Sequence, residues 1–209
     1  MIEAAILAFT TFFATVSPVD VAAIYAVLTA RVAEPKRRRM AAKAALIATG
    51  ILVVFALVGN TGLHFLGVGL PALRIAGGIL LLLVAIDMVF ARHSGVTSTT
   101  EAESEEAEAR SDISVFPIAT PLIAGPGAMG AAILRMAEAQ GELANQLAVI
   151  GALLAVMAIT WLMLVAAGRV SRMLGITGIN VIMRVLGVLL ASLAVQYIVD
   201  GIGGTGLAG

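Results

Sequence analysis

Six long runs of apolar residues constrain the fold of this chain more than any other feature. They cover residues 2–30, 41–63, 71–91, 113–136, 145–168 and 178–199. A helix of roughly 20 apolar residues crosses the hydrocarbon core of a bilayer. With 60% hydrophobic residues, 12% charged residues and a mean hydropathy of +1.05, the chain is too apolar for a water-soluble domain of its size. The sequence therefore predicts an all-α, polytopic membrane protein with six transmembrane helices.

The placement of Lys and Arg predicts how these helices are oriented. Cytoplasmic loops of membrane proteins are enriched in basic residues. Arg74 and Arg135 lie near one side of the predicted bundle, and Arg184 lies inside the sixth run. The remaining basic residues follow the first, third and fifth runs; they are Arg31, Lys36, Arg37, Arg38, Arg39, Lys43, Arg92, Arg110, Arg169 and Arg172. We therefore expect these segments to be cytoplasmic and both termini to be outside.

A polar segment divides the chain into two parts. Residues 92–112 combine Ser, Thr and Ala with five glutamates, which are Glu101, Glu103, Glu105, Glu106 and Glu108. Such a composition cannot bury a core and is typical of disorder. We expect a three-helix repeat in residues 1–91, an acidic disordered cytoplasmic linker in 92–112, and a second three-helix repeat in 113–209.

The first run of each part is interrupted in a similar way. The first contains Ser17-Pro18-Val19-Asp20, and the fourth contains Ala124-Gly125-Pro126-Gly127-Ala128. Helix breaks at membrane depth are tolerated only where they pack against protein or line a cavity. A matched pair of them, one in each half, is the best sequence indicator of a transporter substrate site. We therefore predict that the first helix of each half is discontinuous.

Three spans in each half predict an inverted repeat, because an odd number of crossings gives equivalent helices opposite directions. Residues 74–80 and 184–190 support this alignment, since each segment begins with Arg and has Gly three residues later. Arg74 and Arg184 would then lie near opposite membrane faces. The predicted fold is a 3+3 inverted repeat.

The two interruptions predict two half-helix starts of different charge. Ser17 is a candidate N-cap, Pro18 fits the first helical position, and Asp20 lies three residues after the cap. The N-terminal end of a helix attracts anions, and Asp20 already compensates the first one. Gly125, Pro126, Gly127 and Ala128 leave the second end uncompensated and open to a ligand.

These residues predict a site for a small zwitterion. Its carboxylate would lie at 125–128, with its ammonium toward Asp20 and Thr120 along the path. Replacing Gly127 by Val is expected to block the ligand and remove binding while leaving folding largely intact. Asp20 is also the candidate for carrying a coupling proton, since poor solvation raises the pKa of a carboxyl group. The alternative reading of Asp20 as a helix cap only remains open.

These residues also resemble a known family. Residues 116–128, reading FPIATPLIAGPGA, are similar to the second-half signature of the MarC family of six-span bacterial inner-membrane proteins. Residues 11–29 are similar to its first-half signature. They depart from it in having Ser17 before Pro18, Asp20 in place of the usual Gly, and Ala23 in place of a second Pro. The resemblance implies transport of small neutral amino acids such as glycine and alanine, and a location in the inner membrane.

Two functional classes follow from these observations. The first is a secondary transporter, either coupled to protons or uncoupled, with a small neutral amino acid and the lipid bilayer as partners. The alternative is a membrane scaffold or regulatory protein without transport activity, which the altered first motif favours. We do not expect an enzyme, a cofactor, a metal site or a nucleic-acid partner. His64 and His93 lack the spacing of metal ligands, and the sequence predicts no oligomeric state.

The predicted orientation can be tested by labelling single cysteines in this chain, which has none of its own. A membrane-impermeant thiol reagent added to intact cells should label Cys at position 206 but not at position 98. Position 98 lies in the predicted cytoplasmic linker, and position 206 lies in the predicted external tail. Labelling at 98 alone would reverse the orientation.

Overall fold

The computed structural model describes residues 1–29, 32–65, 67–90, 112–139 and 142–205. Its regular structure within these ranges is entirely helical, which confirms the predicted all-α class. The helices are α1 (Ile2–Val16), α2 (Pro18–Leu28), α3 (Glu34–Phe65), α4 (Leu70–Phe90), α5 (Ser114–Ile123), α6 (Pro126–Glu138), α7 (Leu143–Val165) and α8 (Ala167–Gly204). The predicted linker lies outside the described residues, apart from Asp112.

Long apolar helices account for most of the described chain. Five stretches are long and apolar enough to cross a membrane: Ile2–Leu28, Glu34–Gly59, Leu70–Phe90, Leu143–Val165 and Asn180–Gly204. The pair formed by α5 and α6 is bent by 57° and makes a sixth stretch if it is counted as one span. The described ranges therefore hold five or six candidate spans, each overlapping a predicted one.

Prolines explain where several helices begin. Proline lacks an N–H, and its fixed φ suits the first turn of a helix. Pro18 and Pro126 are the first residues of α2 and α6, and Pro35 and Pro71 are the second residues of α3 and α4. The sequence thus defines the starts of four helices directly.

The other two prolines make α5 irregular. A residue that precedes proline is disfavoured in the helical region and shifts toward extended φ and ψ. Phe116 (φ −131°, ψ 129°) and Thr120 (φ −138°, ψ 127°) precede Pro117 and Pro121 and have extended backbones. The segment is therefore wound loosely, with hydrogen bonds that span five residues, such as the one from the N–H of Ala124 to the carbonyl of Ala119 (2.9 Å).

The helices before and after the polar segment are interlocked. α1 packs mainly against α7, and α2 packs against α7 and α8. In the same way α5 packs against α3, and α6 packs against α3 and α4. The α1–α2 stretch is also the most buried of the five candidate spans. Of its apolar 18-residue segment 56% is buried, against 28% for the span in α8. The bundle is therefore centred on its broken stretches.

Glycines bring α4 and α8 into close contact, which is the most extensive helix contact among the described residues. A Cβ at Gly78 of α4 would lie 2.7 Å from the carbonyl oxygen of Ala194, and a Cβ at Gly187 of α8 would lie 2.9 Å from Cβ of Met88. Small residues let helix backbones approach closely, as is typical of helix contacts in membranes. The sides of α8 that face away from α4 carry exposed Val181, Val185 and other apolar residues suited to lipid.

Asp112 attaches the start of α5 to α3. Lys43 donates to Oδ2 of Asp112 (2.7 Å), and the backbone N–H of Ser114 donates to Oδ1 (3.0 Å). The hydrogen bonds from Lys43 and Ser114 lower the pKa of Asp112 to about 2. The stabilising contribution of this carboxylate is therefore present above its ordinary pKa of about 3.9 and is lost as the pH falls through about 2.

The α4–α8 contact makes a testable prediction for Gly78. Gly78→Ala places a methyl group against a backbone oxygen that cannot move alone, so we expect a loss of roughly 1–3 kcal/mol of stability. Gly151→Ala in α7 is the matched control, because a Cβ there meets nothing within 4 Å. The control should be neutral or stabilising by up to about 1 kcal/mol. Thermal unfolding in detergent measures both, and equal effects of the two variants would contradict the close contact.

Candidate functional site

The two helix breaks have different backbone geometries. α1 ends at Val16, and Ser17 adopts a left-handed conformation (φ 49°, ψ 65°) before α2 begins at Pro18. The second break passes through Ala124 (φ −92°, ψ 67°) and the extended Gly125 (φ −85°, ψ 172°) before α6 begins. The helical segments on either side of this second break differ in direction by 57°.

The helices that flank the two breaks contact one another. α1, which precedes the first break, contacts α6, which follows the second. α2, which follows the first break, contacts α5, which precedes the second. This pairing is that of two stretches that run antiparallel. The predicted residues of the two motifs therefore belong to one region of the protein.

Ser17 does not make the hydrogen bond that its N-cap position predicts. It is the N-cap residue of α2, but its hydroxyl donates to Sδ of Met183 on α8 (3.1 Å) and caps no backbone N–H. The expected side-chain cap is therefore wrong, because the left-handed backbone directs the hydroxyl toward α8. Pro18 is the first residue of α2, as predicted, and is buried. Asp20 lies half-buried in the first turn of α2.

The second break is formed by residues without large side chains. Gly125 is the N-cap of α6 and has no side chain to accept hydrogen bonds from the first-turn N–H groups of Gly127 and Ala128. A Cβ at Gly125 would lie 2.6 Å from the carbonyl oxygen of Pro121, so glycine is required for the close turn. Half-buried Thr120 precedes this turn, and Pro126 is exposed.

Gly127 has a packing role that the sequence did not indicate. It is buried, and a Cβ there would lie 2.9 Å from Cγ2 of Val84 on α4. The Gly127→Val replacement would therefore collide with α4 as well as with any ligand. We therefore now expect this variant to disturb the packing of α6 against α4 as well as ligand binding.

Sequence reasoning missed a buried ionic cluster at the far end of α6. Arg135 is only 8% exposed; its Nε donates to Oγ1 of Thr11 (3.2 Å) and its Nη1 donates to Oε2 of Glu138 (3.0 Å). Arg74 of α4 donates to Oε1 of the same carboxylate (3.3 Å). The guanidinium of Arg135 also lies 4.9 Å from the ring centre of Tyr197 on α8. The pair at positions 135 and 138, three residues apart on a helix, was the available sequence signal.

The architecture defines an integral membrane protein whose chain passes through the bilayer several times. Comparison with known proteins then identifies the family. The profile described as "MarC family integral membrane protein" matches residues 2–205, and the chain belongs to this family. The predicted resemblance is confirmed.

Related proteins from archaea and bacteria align along nearly their whole length. A UPF0056 membrane protein of Methanocaldococcus jannaschii is 39% identical over 199 residues, which cover 95% of this chain and 96% of the relative. The UPF0056 membrane protein YvbG of Bacillus subtilis is 33% identical over 196 residues, covering 94% and 92%. A third, from Archaeoglobus fulgidus, is 33% identical over 197 residues, covering 93% and 90%. No solved structure matches the chain.

The left-handed backbone at Ser17 predicts how two variants will differ. Ser17→Gly and Ser17→Ala both remove the hydroxyl that binds Met183, but only alanine keeps the Cβ that a left-handed conformation disfavours. We expect Ser17→Gly to be more stable than Ser17→Ala by about 1 kcal/mol. Chemical or thermal unfolding in detergent measures the difference, and an equal or reversed order would show that position 17 does not require positive φ.

Proposed function

We propose that the protein is a secondary transporter of small neutral amino acids or similar zwitterions. The observation that carries this proposal is the contact between the helices that flank the two breaks, α1 with α6 and α2 with α5. In lipid, backbone groups released by such breaks need partners from protein, water or ligand. Paired breaks near the bilayer middle are also a recurring way to build a transporter site.

The pairing of helices supports a 3+3 inverted repeat in this proposal. Exchanging α1–α2 with α5–α6, α3 with α7, and α4 with α8 reproduces the main contacts. Under this exchange the contact of α2 with α8 becomes the contact of α6 with α4, and the contact of α4 with α8 is unchanged. An axis in the membrane plane would relate the halves, because each half contributes three crossings.

The chemistry of the two breaks supports a zwitterionic substrate. The N–H groups of Gly127 and Ala128, at the positive end of α6, suit a carboxylate. Asp20 at the start of α2 suits an ammonium group, so an amino acid can bridge the two breaks. The contact between Gly127 and Val84 leaves little room beside the α6 start, which favours a small side chain.

Proton coupling through Asp20 is the energy source that we propose for this transport. A half-buried carboxylate beside a substrate ammonium can bind a proton when the substrate leaves. We place the protein in the cell's plasma membrane with both termini outside, since the basic segments follow the first, third and fifth spans. In bacteria this is the inner membrane.

The alternative function, a scaffold or regulatory protein without transport, is favoured by the close packing around the breaks. The hydroxyl of Ser17 is engaged by Met183, and the Cβ space of Gly127 is occupied by Val84. Both contacts would need to loosen for a substrate to pass. A protein that never transports would keep them permanently.

Uptake of labelled glycine, alanine and serine into proteoliposomes, with and without a pH gradient, tests the transporter proposal. We expect uptake by the unmodified protein and at least a tenfold loss in Asp20→Asn, which removes the charge while keeping the shape. Asp200→Asn is the matched control, since Asp200 is exposed at the end of α8 and pairs with Gln196. The control should transport normally.

Each outcome of this experiment has a distinct meaning. Normal, pH-dependent uptake by Asp20→Asn would make Asp20 a helix cap, since Asn caps as well as Asp. Uptake that persists without its pH dependence would assign the proton to Asp20 and the substrate elsewhere. Absence of uptake by the correctly folded, unmodified protein for all three amino acids would favour the scaffold.

A further inference from the structure

A cavity of about 240 Å³ lies between the first turns of α1, the end of α6 and the start of α7. One water molecule needs only about 10–15 Å³ of comparable volume. The cavity therefore has room for a small organic solute. It is lined by Glu3, Ala4, Leu7, Arg135, Glu138 and Asn145, among others.

Arg135 supplies cationic hydrogen-bond donors on one side of this cavity. The guanidinium of Arg135 carries five N–H groups, and its Nε and Nη1 each use one for Thr11 and Glu138. The single carboxylate of Glu138 is shared between Arg135 and Arg74. The two arginines therefore share a single carboxylate in a partly buried environment. A carboxylate placed in the cavity would balance the second charge, and it is the partner that guanidinium binds best.

The same cavity also presents acceptors. Glu3 contributes an exposed carboxylate from the first turn of α1. The amide of Asn145 donates through Nδ2 to Glu142 (2.6 Å), while its buried Oδ1 has no hydrogen-bond partner among the described residues. An ammonium group supplies donors for both kinds of oxygen.

We propose that this cavity is a second binding site, distinct from the helix breaks, for a small zwitterionic amino acid. The substrate carboxylate binds Arg135, and the ammonium lies toward Glu3 and Asn145. Position 135 is nine residues beyond position 126, about 14 Å along α6. The cavity is thus separated from the second break by most of the length of α6. The choice of ligand rests on the proposed function.

Equilibrium dialysis of labelled glycine against the full chain in lipid nanodiscs tests this site. We expect saturable binding that acetate and methylamine displace only weakly, because each carries one of the two charges. Arg135→Gln should weaken glycine binding at least tenfold, and Glu3→Gln should weaken it several-fold. Arg38→Gln is the matched arginine control, since Arg38 forms an exposed pair with Glu34, and it should leave binding unchanged.

A cavity-filling variant keeps the test independent of the ion cluster. Ala4→Phe fills the cavity without removing any charged group, and it should abolish binding at this site. Ala144→Phe, at an exposed position beside Asn145, is its size-matched control. Monodisperse gel filtration establishes folding for each variant, and Ala4→Phe decides the question if Arg135→Gln does not fold.

The outcomes separate this inference from the proposed function. A number of bound glycines per chain that stays unchanged in both Ala4→Phe and Arg135→Gln, or no binding of glycine, alanine or serine by the unmodified protein, overturns the cavity site. Binding that Ala4→Phe abolishes, in a protein that transports nothing, upholds the cavity site and rejects the transporter. If Asp20→Asn abolishes uptake while Ala4→Phe leaves binding and transport unaltered, the transporter is upheld and the cavity site is rejected.

Discussion

The backbone's need for hydrogen-bond partners in lipid is the constraint on which the rest of this structure depends. Proline starts α2 and α6 in the middle of apolar stretches, so each stretch contains N–H and carbonyl groups that its own helix cannot pair. Such groups cannot face lipid chains, which offer no hydrogen bonds. The broken stretches therefore occupy the centre of the bundle, and the helices α3, α4, α7 and α8 carry most of the exposed apolar side chains.

Much of this arrangement could be predicted from the sequence, because length and apolar content identify spans and proline identifies helix starts. The helix starts at Pro18 and Pro126 were predicted in this way. The direction of the Ser17 hydroxyl could not be predicted, since it depends on a left-handed backbone and on Met183, 166 residues away. The crowding at Gly127 was likewise hidden, because it comes from a different helix. Local rules fix the ends of helices, whereas side-chain partners are fixed by tertiary packing.

Both breaks start a new helix within an apolar stretch, but the two helix starts differ in charge. In α2 the helix end is followed by an acidic side chain in its first turn, whereas the corresponding turn of α6 has only glycine, proline and alanine. A helix end with a nearby carboxylate is electrostatically compensated, and one without it retains its positive partial charge. The two helix ends therefore differ in electrostatic character. In the transport function that we propose, this difference is the physical reason to prefer a zwitterion to an ion of either sign.

The interlocking of the two parts has a consequence for biosynthesis. α1 and α2 pack mainly against α7 and α8, which leave the ribosome more than a hundred residues later. Until then the hydroxyl of Ser17 lacks its final partner, Met183 of α8. The first three spans are accordingly an intermediate that awaits the rest of the chain. Assembly of the bundle is completed only when α8 arrives, and a nascent chain that stops before α7 leaves its most buried stretch uncovered.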